Sequence, residues 1–142
     1  MKWTFWLLIP VSLISMTLRG QNVNEDKLPL PVKKAFEQKY PGIKGKWEKE
    51  KNNYEVNFKK DDKPMSLVID PKGNILETER DIPVNELPQV ILSYIKTHYN
   101  DASITEAAHI VKGDGKIVYE AEVNKKDILF DANGKFLKEV NE

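Results

Sequence analysis

The sequence has no cysteine and only two histidines among its 142 residues. Without cysteine there is no disulfide framework, no thiolate nucleophile and no route to a lipid anchor through a modified cysteine. Serine chemistry is equally bare. Past residue 20 the serines are Ser66, Ser93 and Ser103, and none sits in the glycine-rich elbow that would activate it. His98 and His109 are too few for a histidine-based metal site and read as structural or surface residues. Charge of one sign is missing too: 22 basic and 22 acidic side chains cancel. No electrostatic attraction to nucleic acid is expected.

A long hydrophobic run occurs once, at the start. MKWTFWLLIPVSLISMTLRGQN places Lys2 before an almost uncharged stretch and ends it at Arg19-Gly20. Its most apolar part, Leu7 to Leu18, is short for a helix that must cross about 30 Å of hydrocarbon, and it contains Pro10. A basic start, a short apolar middle and a small residue before a polar segment describe a secretory signal peptide, residues 1–20, cut after Gly20. The alternative is an uncleaved anchor. Cleavage removes Lys2 and Arg19, leaving 20 basic (22 − 2) against 22 acidic side chains and no membrane span. An exported chain without disulfides must be held by core burial alone, which points to the bacterial periplasm or the space outside the cell.

What is present is a unit written twice. Residues 21–27 are polar and read as a flexible leader. LPLPVKKAFEQKYPG, from Leu28, is matched by LPQVILSYIKTHYND, from Leu87. Proline early in each suits a helix's first turn, where its missing N–H is not needed. Val32, Phe36 and Tyr40 recur at helical spacing, as do Ile91, Ile95 and Tyr99. The period then changes to two. NYEVNF sets Tyr54, Val56 and Phe58 against Glu55 and Asn57; IVYEAEV sets Tyr119, Ala121 and Val123 against Glu120 and Glu122. These are half-buried strands. Asp70-Pro71-Lys72-Gly73 and Asp131-Ala132-Asn133-Gly134 are hairpin turns between later strands. Candidate strands from Ile43 and Ser103 complete four per unit.

The expected fold class is α+β: two tandem α-β-β-β-β units, residues 28–82 and 83–142, with antiparallel sheets and both helices packed on one side. A unit of this size is marginal alone, so the two sheets should associate, edge to edge or face to face.

These motifs resemble a known family. Tandem helix-plus-four-strand units behind a signal peptide look like the PepSY-like proteins of bacterial envelopes. The resemblance rests on LP…KY at the helices, YEV and YEAEV on strands, and DPKGNIL and DANGKFL at hairpins, and it spans Leu28 to Val140. That family is similar in fold to the beta-lactamase inhibitory protein. The resemblance implies a periplasmic or secreted, non-enzymatic protein that binds or inhibits another protein. It carries over no catalytic residues and no cofactor. The inhibitor's disulfides are missing here, so its target and binding loops do not transfer.

The candidate binding face is the polar side of the sheet: Glu55, Asn57, Glu120 and Glu122, in equivalent places in the two units. Trp47 has two readings. With Ile43 and Gly45 on its face it belongs to the core; exposed, it would anchor an interface, because tryptophan concentrates binding energy. The expected function is thus binding of an envelope protein or peptide through the open sheet face. The alternative is a periplasmic small-ligand or metal-ion binding protein, with a closed pocket between helix and sheet or calcium at Asp70 and Asp131. Position five of those turns, Asn74 or Lys135, makes poor calcium loops, and the turn reading accounts for both aspartates. KGKWEKEK, Lys44 to Lys51, interleaves opposite charges as a solvated strand does.

Overall fold

The structure is a computed structural model, and residues 20–141 are described. The proposed signal peptide and its anchor alternative lie outside these residues, apart from Gly20. Among the described residues no helix is long and apolar enough to cross a membrane.

The elements follow one another as β1 (Gln21–Val23), α1 (Leu30–Lys39), β2 (Lys46–Glu50), β3 (Asn53–Lys60), β4 (Lys63–Ile69), β5 (Ile75–Asp81), α2 (Gln89–His98), β6 (Ile104–Lys112), β7 (Ile117–Val123), β8 (Lys126–Asp131) and β9 (Phe136–Asn141). Short 3-10 turns, Glu25–Lys27 and Val84–Glu86, precede the helices. Among the described residues nine strands form one antiparallel sheet in chain order. A helix followed by four strands thus occurs twice, and the halves join edge to edge where β5 pairs with β6, Arg80 opposite His109 and Asp81 opposite Ala108.

Each helix enters through a proline, Pro29 or Pro88, in extended conformation, with no side-chain cap. Each buries one stripe, Val32 and Phe36 in α1, Ile91 and Ile95 in α2. Both stripes land on the same side of the sheet. Under α1 the core is aromatic: Phe36 meets Trp47 edge-on at 5.4 Å and Phe58 at 5.1 Å, with Val56, Leu67 and Ile69 around them. Under α2 it is aliphatic, with Ala107, Ala121, Val123 and Ile128 beside Phe130. Leu28 and Leu87, Val32 and Ile91, Phe36 and Ile95 fill equivalent places in the two clusters.

The hairpin tips explain their glycines. Gly73 has φ +89 and lies against Pro31; Gly134 has φ +80 and lies against Val90. Each β-hairpin therefore tucks its turn under the first turn of its own helix, and both positions need a left-handed backbone with no side chain.

Residues 21–27 are not a flexible leader. Gln21–Val23 pairs with Lys49–Trp47 as the first edge strand, and Val23 packs on the α1 core. The outer edge of β2 offers unpaired backbone groups, and the chain just ahead of α1 is long enough to fill them.

Candidate functional site

The face opposite the helices is carried by the alternate residues of every strand. Direct pairing runs across it: Glu55 opposite Val68, which faces Glu77, which faces Lys112. The next row is Asn57, Ser66, Glu79, Ile110 and Val118. A third runs Asp81, Ala108, Glu120, Leu129 and Lys138. Glu106, Glu122 and Asp127 close the far side. Acids outnumber bases on this face, and Lys112 is already committed to an ion pair with Glu77.

A half-exposed antiparallel face normally keeps its carboxylates wet. Here Glu55 is 6%, Glu79 4%, Glu120 7% and Asp127 3% exposed. Glu55 and Glu120, placed on the polar side of the sheet by their alternation, are therefore buried there. With both helices on the other side, their cover comes from neighbouring strands. Joining the two halves edge to edge places β6 beside β5, so Ile110 and Ala108 stand directly opposite Glu79 and Asp81.

Burial shifts the acids. Loss of water raises Glu55 to about 7, with Glu50, Glu48 and Glu77 adding to it and the Ser66 hydroxyl opposing. Glu79 is raised to about 8, first by burial and then by Asp81, Glu55, Glu77 and Asp127. Glu120 is raised to about 10 by burial and by Glu79, Asp127, Glu122 and Asp81. With these shifts Glu79 and Glu120 hold protons at neutral pH, and Glu55 titrates across it. Two buried carboxyl oxygens, Glu79 Oε1 and Glu120 Oε2, have no hydrogen-bond partner.

The five residues singled out in the sequence divide. Glu55, Asn57, Glu120 and Glu122 lie on this face, the first and third buried, the other two half-buried. Glu122 Oε1 accepts a 2.7 Å hydrogen bond from the Thr105 hydroxyl. Trp47 does not belong with them. It is 5% exposed on the helix side, opposite Val56 and against Phe36, so the core reading replaces the interface anchor. Sequence reasoning passed over Ser66, Glu79, Asp81 and Asp127. The signal for the β5 acids was present in ILETERD, where Glu77, Glu79 and Asp81 alternate with period two.

The places a metal or small ligand was sought are otherwise engaged. Asp70 Oδ1 accepts the Lys72 and Asn74 backbone N–H groups, each at 2.9 Å, and its Oδ2 accepts from the Asn74 amide at 2.8 Å. Asp131 Oδ1 accepts the N–H groups of Asn133 and Lys135 at 2.9 Å. Both carboxylates serve their own turns. Between α1 and the Gly73 hairpin lies an open depression lined by Ala35, Gln38, Lys39 and Gly113, not a closed pocket. His98 stacks on Tyr94 at 3.8 Å, and His109 meets Tyr119 edge-on at 5.3 Å.

Comparison with known proteins follows the repeat. The family described as "Putative beta-lactamase-inhibitor-like, PepSY-like" matches twice, over residues 15–77 and 70–138. The chain belongs to this family. Solved structures agree on the fold. A protein from Bacteroides eggerthii, described as among "putative periplasmic proteins", is similar with a TM-score of 0.70 at 19% identity, over 80% of this chain and 88% of that one. A DUF2874 family protein from Bacteroides uniformis gives 0.71 at 16% identity, with the same coverage of 80% and 88%. A BLIP-like protein from Bacteroides fragilis gives 0.60 at 23% identity, covering 77% and 82%. The PepSY-like chain described here therefore has the fold that the last comparison calls BLIP-like, with a nine-stranded antiparallel sheet and two helices. No curated protein matches it significantly.

Proposed function

We propose that this PepSY-like protein is a non-catalytic, exported envelope protein, built from two tandem units, that binds another protein or peptide through the open face of its sheet. One observation carries the reading. A fold of this size spends stability to recess several carboxylates on the face that its helices leave uncovered, and a face that served only as solvated surface would keep them in water. The family's inhibitor-like description and the periplasmic neighbours support export and a binding role. The signal-like start, cut after Gly20, is consistent with both. A non-catalytic role is supported by the family's inhibitor-like description, and the Ser66 hydroxyl on this face is engaged with Glu55.

The test uses the chain from Gln21 onward and a variant, Ala108→Trp, that fills the middle of the face. A partner captured from envelope extract by the unaltered chain should bind saturably when purified, and should bind the variant at least tenfold less tightly. Undiminished binding to the variant would move the interface elsewhere. Mass measurement of the exported product checks the cut after Gly20.

A further inference from the structure

The two ends of the sheet are closed differently. At one end the outer edge of β2 is taken by Gln21–Val23. At the other, β9 is the last strand, and among the described residues nothing pairs with its outer edge. The internal repeat supplies a template for what belongs there, because β5 holds the place in the first unit that β9 holds in the second. Ile69 faces Ile75 across one hairpin, and Phe130 faces Phe136 across the other. Both registers then skip a leucine, Leu76 or Leu137, and pair Val68 with Glu77 and Leu129 with Lys138. Beyond β5 stands an antiparallel strand, β6.

Exposure separates the two edges. Ile75, Leu76, Glu77 and Thr78 are half-buried, whereas Phe136 is 36% and Leu137 49% exposed, with Lys138 and Glu139 also in water. The cover over β5 is specific. Lys112 of β6 pairs with Glu77. The Gly113 N–H donates to the carbonyl of the skipped Leu76 at 2.7 Å. A Cβ built on Gly113 would lie 2.9 Å from the Ile75 carbonyl oxygen, so this position has no room for a side chain. On β9 the counterpart of Glu77 is Lys138, and the sign of the charge is reversed. Lys138 has no ion pair among the described residues, while Glu139 is taken by Lys126 and Tyr99.

We propose that the outer edge of β9 accepts an extended segment of another protein as a further antiparallel strand, with an acidic residue opposite Lys138 and a glycine directly after it, against Leu137. Main-chain hydrogen bonds along the edge supply affinity, and the acid and glycine fix register and choice. The exposed lysine that keeps unselected strands away becomes an attraction for an acidic one. A second copy of this chain fits worse. Its β2 edge is filled by β1, which leaves a strand of only 3 residues for a head-to-tail contact. Joined tail to tail by a two-fold axis, the registers that engage most of β9 set Lys138 against Lys138 or Glu139 against Glu139, and like charges directly opposite are destabilising. This contact is separate from the open-face reading, and either can hold without the other.

Fluorescence anisotropy with the chain from Gln21 onward tests this. The probe is a labelled, capped peptide of residues 105–114 carrying Lys112→Glu, beside the same peptide with its lysine kept. The glutamate peptide should bind saturably and about fivefold more tightly, as expected when a cross-strand pair changes from repulsive to attractive. The Lys138→Glu chain, its fold checked by circular dichroism, should reverse that order. Amide hydrogen exchange should show protection gained along β9 and not along β1. No binding up to millimolar peptide, equal binding of both peptides to both chains, or protection gained elsewhere would overturn the proposal. So would a micromolar dimer in sedimentation that Leu137→Pro breaks up, which would give the edge to a second copy. The Ala108→Trp chain should bind the peptide unchanged; loss there would place the peptide on the open face instead.

Discussion

Gly73 lies so close to Pro31 that a Cβ built on it would meet the Pro31 carbonyl oxygen at 2.7 Å. This contact ties the β4–β5 hairpin to the start of α1, and its counterpart ties Gly134 to Val90. The two differ in what can yield. At Gly73 the obstacle is backbone; at Gly134 it is the side chain of an exposed valine. Gly73→Ala should therefore cost about 2–4 kcal/mol, combining the left-handed backbone with a displaced helix start, and Gly134→Ala about 1–2 kcal/mol. Urea denaturation of the two variants checks the order.

Trp47 offers a second test, because its role was open until its surroundings were known. It packs edge-on to Phe36 at an interplanar angle of 87° and is 5% exposed. Trp47→Ala should lose about 3–5 kcal/mol of stability, and Trp47→Phe distinctly less. In the chain from Gln21 onward Trp47 is the single tryptophan, since the others are Trp3 and Trp6. Its emission should be blue-shifted in the native state and move red on unfolding. A red-shifted native spectrum would place the ring in water and restore the interface reading.

The helices, hairpins and doubled order could be read from the chain because each depends on neighbours a few positions away. Pro29 and Pro88, the Val32–Phe36 spacing and the Asp-x-x-Gly turns act locally. What escaped reading depends on distant pairing. Gln21–Val23 is polar and featureless alone, and becomes a strand because β2 has an edge to fill. Glu55 and Glu120 alternate with apolar residues as solvated strand residues do; their burial depends on which same-face neighbours strand pairing sets beside them, Glu48 and Val68 for one, Ala108 and Leu129 for the other. Glu79 was passed over for the same reason, since its depth is set by Ile110 across that junction. Trp47 shows the limit on the apolar side, where the pattern gave a face but not its cover.

The turn aspartates give a third prediction. Asp131 Oδ1 accepts two backbone N–H groups within its own hairpin. Asp131→Ala leaves both donors to water and should cost about 1 kcal/mol, whereas Asp131→Asn keeps an acceptor and should cost less. Millimolar calcium should not shift the melting temperature of the unaltered chain through this turn. A calcium-dependent rise that Asp131→Asn abolishes would revive the ion-binding reading of the hairpin.

The recessed acids set the fourth, through the dependence of stability on pH. Glu79 and Glu120 have folded pKa values raised to about 8 and about 10, so between the unfolded carboxylate range and those values the folded chain holds more protons than the unfolded one. Stability must then fall as pH rises through that window, by up to about 1.4 kcal/mol per pH unit for each group that remains protonated. At the acid end the sign reverses. Asp70 is held low by the Asn74 side chain and turn N–H groups, Asp114 by the Lys116 N–H, and Glu139 by Lys126 and Tyr99, so their contributions are lost as pH drops through their folded values. The chain should be most stable near pH 5 and weaken toward pH 8. Glu120→Gln, neutral at every pH, should leave stability at pH 5 nearly unchanged and raise it by more than 1 kcal/mol at pH 8, which denaturant titrations at the two pH values would show. If the unaltered chain instead grows more stable from pH 5 to pH 8, these carboxyls are ionised and solvated in the native state, and the burial that underlies the open-face proposal does not exist in solution.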